Sequence, residues 1–170
     1  MSMTDFISFP TIAKDVLKTI DPADLGRILH GFGVNLLVRD AQIYADSLSR
    51  VLGIEVIRAE EAFALIAIPS HDHGNDRKKR DHVAISHLIQ VHADFTYHNN
   101  PYQHHLPEAD ARGIGVELHL FDTNPDEVVA LADADPDWTV LQSPTDKPHG
   151  VREAYLFDMH GYCWVVSTPR

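Results

Sequence analysis

A chain of 170 residues, 44% hydrophobic and 23% charged, has the size and balance of one ordinary globular domain or two very small ones. Its 14 basic residues against 25 acidic ones leave a net charge of −11, which repels phosphate backbones and argues against a nucleic-acid partner. Cys163 is the single cysteine, so no disulfide scaffold can form, and no apolar run approaches the roughly 20 residues that cross a bilayer. The opening residues Met1 to Phe6 lack the basic start and apolar stretch of a signal peptide, so the expected location is cytoplasmic. The 12 histidines are the one compositional oddity.

Residues 1–30 form a helical prelude. Pro10 suits a first turn, and Ile12, Val16, Leu17 and Ile20 recur at helical spacing. Asp21-Pro22 starts a second short helix through Leu25, Ile28 and Leu29, with Gly31 as its stop. Packing against the main body, rather than chemistry, is the role this pattern predicts.

The pattern changes at Gly31. Gly31 to Asp40 reads as a strand, and residues 41–52 as a helix with Ile43, Tyr44, Ser47, Leu48, Val51 and Leu52 on one face, stopped by Gly53. Ile54 to Arg58, Phe63 to Ile68 and His87 to His92 follow as strands. The wholly polar run 69–82 reads as an exposed loop. Residues 31–92 thus form a β-α-β-β-β module.

After a linker over 93–112, the order repeats in residues 113–170. Gly113 to Asp122 mirrors Gly31 to Asp40, with identities at both glycines, the valine, the first leucine and the aspartate. Asn124-Pro125-Asp126 starts a helix to about residue 134. Trp138 to Leu141, Arg152 to Phe157 and Tyr162 to Ser167 supply three more strands. An internal repeat of this kind outranks any single motif in deciding the fold. The fold class is α+β: two β-α-β-β-β modules form a curled mixed sheet around one cavity.

Val38-Arg-Asp40 followed by Leu52-Gly53, and Gly150-Val-Arg-Glu-Ala-Tyr-Leu-Phe-Asp158-Met-His-Gly161-Tyr-Cys-Trp164, carry a more specific resemblance. In order and spacing they resemble the vicinal oxygen chelate superfamily, which includes glyoxalase I, bleomycin-resistance proteins and extradiol dioxygenases. The resemblance runs from about residue 31 to 168. It implies a ligand bound in the concavity between modules, a homodimer, and one divalent metal (Fe, Zn, Ni or Mn) held by first- and last-strand side chains, or none.

Transferred position by position, the four ligand places of that family fall on Gly33, Gln90, Glu117 and Val165. Of these only Glu117 is a good ligand, so the inherited chelate looks broken. His92 and His119 each lie two residues from a ligand position, on the same strand face, and His92, Glu117 and His119 have the composition of a two-histidine, one-carboxylate metal site. Against that stands the commoner use of a strand histidine as a hydrogen-bonding partner. Glu117 is the catalytic candidate, and Asn35, Gln90, His92, Tyr97, His119 and Arg152 are the ligand-binding ones. Arg152 is suited to clamp a carboxylate or to form a salt bridge. His71, Asp72 and His73 sit in the polar loop without a cysteine framework, which disfavours a structural metal there.

Two functions stand side by side. One is a metal-dependent lyase of glyoxalase type or a dioxygenase, turning over a small organic molecule. The other is a metal-free protein that binds or sequesters such a molecule, as drug-resistance proteins do, and this needs only an apolar pocket with a few polar anchors. Neither reading involves a nucleic acid or a membrane.

Overall fold

A computed structural model of the chain describes residues 14–28, 32–69, 85–107 and 111–170. Helices α1 (Lys14–Thr19) and α2 (Pro22–Ile28) come first. Module one comprises β1 (Val34–Val38), α3 (Ala41–Leu52), β2 (Glu55–Ala59), β3 (Phe63–Pro69) and β4 (Ile85–Ala93). Module two comprises β5 (Glu117–Leu120), α4 (Pro125–Asp133), β6 (Thr139–Asp146), β7 (Val151–Phe157) and β8 (Cys163–Pro169). Each module is a four-stranded sheet, in the orders β1-β4-β3-β2 and β5-β8-β7-β6. Only the first and last strands of a module run parallel, because the helix carries the chain across the sheet. The two sheets do not close into a barrel.

Local chemistry explains the element ends. Asp40 caps α3 by accepting from the Ile43 amide at 2.9 Å, and Asn124 caps α4 by accepting from Asp126 at 3.1 Å. Gly53 ends α3 with φ of 67°, a left-handed conformation that a side chain would strain. The buried stripe of α3 is Ala41, Tyr44, Ala45, Ser47, Leu48, Val51 and Leu52. Ile43 is 58% exposed, so the expected helical face is rotated by one position there.

Several strands run beyond their predicted limits, β4 and β6 among them. β4 begins at Ile85 rather than His87. β6 continues through Pro144 to Asp146, five residues past Leu141, which proline tolerates because β6 is the outermost strand and one edge needs no donors. Gly31 and the 69–82 loop from Ser70 onward lie outside the described residues, as do His71, Asp72 and His73. No helix among the described residues is long and apolar enough to cross a membrane.

The main core is shared by both modules. Leu36, Val38, Tyr44, Leu48, Ile66 and Val91 of module one form one cluster with Leu120, Val128, Leu156, Trp164 and Val166 of module two. Helices α3 and α4 pack together over it, where Trp138 Nε1 donates to Ser47 Oγ at 2.9 Å and Arg50 pairs with Asp135 at 2.6 Å. The polar side chains of both sheets are thereby left on the faces turned away from the helices.

Candidate functional site

Strand register places the open-face residues in rows. In module one, Asn35, Gln90 and Leu65 lie side by side, then Leu37, His92 and Phe63. In module two the matching rows are Glu117, Cys163 and Phe157, then His119, Val165 and Tyr155. The rows revise two positions transferred from the family. Glu117 corresponds to Asn35, whereas Gly33 precedes β1 and is not in the strand. Gln90 corresponds to Cys163, and Val165 corresponds to His92, by their register against β1 and β5.

Three of the ligand-binding candidates come together. The His92 ring lies with Nδ1 2.7 Å from Asn35 Oδ1, and Asn35 Nδ2 donates to the Tyr97 hydroxyl. Tyr97 closes a 3-10 turn (Asp94–Tyr97) that follows β4 directly, which brings it back over β1. The His92 ring packs edge-on against Phe63 at 4.9 Å and Tyr97 at 5.6 Å between centroids. Gln90 sits one row away on the same face.

With Asn35 in this orientation its carbonyl accepts, so His92 carries its proton on Nδ1 and presents Nε2 as an acceptor. Partial burial pushes the His92 pKa below the ordinary 6.5, because the low-dielectric surroundings disfavour the imidazolium. The sign follows. The unfolded chain binds this proton more readily, so stability attributable to His92 is present above pH 6.5 and is lost as the pH falls through the folded value. A nitrogen-15 NMR titration should show the Nδ1-H tautomer at neutral pH and a midpoint under 6.5. An Nε2-H tautomer would reverse the donor and acceptor pattern of the site.

Glu117 and His119 form a separate pair on the second sheet, 3.1 Å apart and half exposed. The His119 ring stacks with Phe121 at 5.8 Å. The structure does not bring His92 to this pair, and among the described residues no three His, Cys, Asp or Glu side chains converge on a point that could hold a metal. His92 stands on the first sheet, in the row of Leu37 and Phe63 with its Nδ1 engaged by Asn35, while Glu117 and His119 stand on the second. The donor set a divalent ion requires is therefore not assembled among the described residues.

The remaining candidates have other duties. Arg152 is not brought to the other candidates, because its guanidinium grips Asp126 at 2.7 Å and Asp146 at 3.0 Å, tying α4 to the outer strands. Cys163 shares the open face of β8 but is buried, and burial pushes its thiol pKa up, which disfavours the thiolate. Asp94, in the inter-module stretch, is held by Arg112 at 2.5 and 2.7 Å.

Sequence reasoning missed a buried network at the junction of the modules. Asp158, 6% exposed, accepts from Tyr44 Oη at 2.6 Å, Trp164 Nε1 at 2.9 Å and the amides of His160 and Tyr162 at 2.9 and 3.1 Å. The Tyr162 hydroxyl both accepts from the Leu37 amide at 3.2 Å and donates to its carbonyl at 3.0 Å, which caps the free edge of β1. A tyrosine within the apolar stripe of α3 was the available signal, since a buried hydroxyl needs a partner. Phe63 was also missed as a site residue, although strand alternation places it beside His92.

No protein-family model and no curated protein sequence matches the chain. Solved structures do. A glyoxalase/bleomycin resistance protein/dioxygenase family enzyme from Burkholderia phytofirmans PsJN is 18% identical with a TM-score of 0.58, covering 81% of this chain and 96% of its own. A glyoxalase/bleomycin resistance protein/dioxygenase from Nocardioides is 14% identical with a TM-score of 0.54, covering 86% and 90%. A glyoxalase-related enzyme from Fulvimarina pelagi is 13% identical with a TM-score of 0.52, covering 82% and 88%. Identity at this level speaks for architecture alone. With two β-α-β-β-β modules in the same course, the chain has the vicinal oxygen chelate fold of the glyoxalase, bleomycin-resistance and dioxygenase structures.

Proposed function

We propose that the chain binds a small, neutral, aromatic organic molecule on the open face of module one, without a metal. The observation that carries this reading is the Asn35, His92, Tyr97 set. Asn35 occupies the inner polar atom of both partners, so His92 Nε2 is left to accept and the Tyr97 hydroxyl proton is left to donate. Phe63, His92 and Tyr97 frame these two atoms with ring surface. A planar molecule bearing one donor and one acceptor, such as a hydroxylated aromatic amide, matches that pattern. A charged ligand does not, because His92 resists protonation and Arg58, the cation over Phe63, is committed to Glu60 and the Ile20 carbonyl.

The rival reading is proton-transfer or metal-assisted turnover at Glu117 and His119. Among the described residues it lacks a third donor. Elemental analysis of protein purified without an affinity tag or chelator separates the two. The binding reading expects well under 0.1 equivalent of any transition metal per chain, while stoichiometric metal would overturn it. Homodimerisation belongs to the same reading, supported by the exposed apolar side chains Ile114, Val116 and Phe121 around β5.

A further inference from the structure

The open face of module one is divided. Its β2–β3 half carries Ile57, Leu65 and Ala67, joined by Phe63 and by Leu88 of β4. A bulge in β2 between Val56 and Arg58 turns Ile57 and Arg58 to the same side. Leu17 of α1 and Leu25 of α2 seal this half, 0% and 4% exposed, with Ile20 at the margin. The cluster is distinct from the main core, which lies on the other side of the sheet. The β1–β4 half, with Asn35, Gln90 and His92, remains outside the cover. The corresponding strands of module two present Glu153, Tyr155 and Phe157 instead. Only module one has an apolar half that demands a cover, and the N-terminal helices supply it.

Among the described residues the attachment is slender. Ion pairs of Lys18 with Asp15 and of Arg27 with Asp24 run along the helices and fasten neither to the sheet. A hydrogen bond does cross to the body, from Arg58 Nη1 to the Ile20 carbonyl at 3.0 Å. The same guanidinium lies 5.8 Å from the centre of the Phe63 ring, whose other neighbour is His92. Two buried leucines must offset the entropy of ordering two short helices, which on their own are too short to persist in water. Docking of this pair thus rests on a small satellite cluster, while the main core spans both modules.

From this geometry we propose that α1 and α2 form a displaceable strap on the apolar half of the ligand face, clasped by Arg58. With the strap seated, the site takes a small ligand on the β1–β4 half. With the strap released, Ile57, Leu65, Ala67 and Leu88 join the site and it takes a larger apolar molecule. The inference rests on the ligand face proposed above, and Phe63 is the residue shared by clasp and site.

The test uses the full-length chain and the neutral fluorescent probe N-phenyl-1-naphthylamine. Leu17→Asp places a charge under the strap, and Arg58→Ala removes the clasp without charging the face. Expected for Leu17→Asp is at least a fivefold gain in probe affinity and at least a tenfold acceleration of amide exchange over residues 14–28. Amides of Leu48 and Val166 should stay protected. Arg58→Ala should move probe affinity the same way, by at least twofold, and it decides the matter if Leu17→Asp does not fold. Unchanged probe affinity in Arg58→Ala, or core amides opening together with the strap, would overturn the proposal. His92→Ala separates the two readings. If it leaves the affinity for small hydroxylated aromatic amides unchanged while the strap variants respond as expected, the ligand-face reading fails and the strap stands.

Discussion

Asp158→Ala should destabilise the fold by roughly 3–5 kcal/mol, a large share of the about 5–15 kcal/mol that holds a typical domain folded. The carboxylate terminates four buried donors, and each loses its partner in the variant. An unsatisfied buried donor costs about 1–3 kcal/mol, and partial relaxation keeps the total below the simple sum. Asp158→Asn should cost less, about 1–3 kcal/mol, since the amide still accepts from the two backbone groups but turns an N–H toward Trp164 Nε1. Tyr44→Phe removes a single donor and should fall lower still. Equilibrium urea unfolding orders the three. An Asp158→Ala loss under 1 kcal/mol would mean that the junction does not hold the modules together.

The same residue sets a pH signature. Burial holds the Asp158 carboxyl above the ordinary 3.8, outweighing its hydrogen bonds. The folded chain therefore keeps this proton longer than the unfolded chain does. Its contribution to stability is greatest below pH 3.8 and declines as the pH rises from there through the folded value, then levels off. The stability difference between the natural chain and Asp158→Asn should narrow over that window.

Gly113→Ala should cost about 2–3 kcal/mol, at the upper end of what overpacking does. A methyl group on Gly113 would meet Tyr162 Cα at 2.4 Å and the Gly161 carbonyl at 2.5 Å, both of them backbone atoms that no side-chain rotation can move. Tyr162 is the residue that caps β1, so the displacement reaches module one. Gly33, the repeat partner of Gly115, has open space around its Cβ position, so Gly33→Ala serves as the control with almost no expected change. Melting curves of the two variants compare them directly. Equal melting temperatures would show that the loop before β5 yields freely.

The fold was legible because hydrophobic periodicity and punctuation agree along the chain. Asp40 and Gly53 bracket α3, Asn124-Pro125 opens α4, and the repeat of Gly31 to Asp40 announces a second module. The site was only half legible. Strand alternation put Asn35, Gln90 and His92 on one face correctly in register, because a period of two survives without knowledge of neighbours. It could not say that His92 and Glu117 belong to different sheets' rows, which depends on how the modules are joined. The sequence offered a salt bridge as one of two duties for Arg152 but could not name the partners, Asp126 and Asp146, because the Asp126 pairing joins α4 to β7 across the fold. The register of the transferred ligand places was illegible for a similar reason: a two-residue shift along a strand changes the row without changing the face.

The central claim is that ligand recognition resides in Asn35, His92 and Tyr97 rather than in Glu117 and His119. From sequence alone, Glu117→Gln is expected to abolish metal content or to weaken ligand binding by about 1.5–3 kcal/mol. The ligand face proposed above places that sensitivity at His92 instead. Isothermal titration of neutral hydroxylated aromatic amides into the natural chain, His92→Ala and Glu117→Gln measures it most directly. The account predicts that His92→Ala weakens binding about 2- to 13-fold, the loss of one neutral hydrogen bond of roughly 0.5–1.5 kcal/mol, while Glu117→Gln leaves it within a factor of two. Affinity lost in Glu117→Gln and retained in His92→Ala would contradict it.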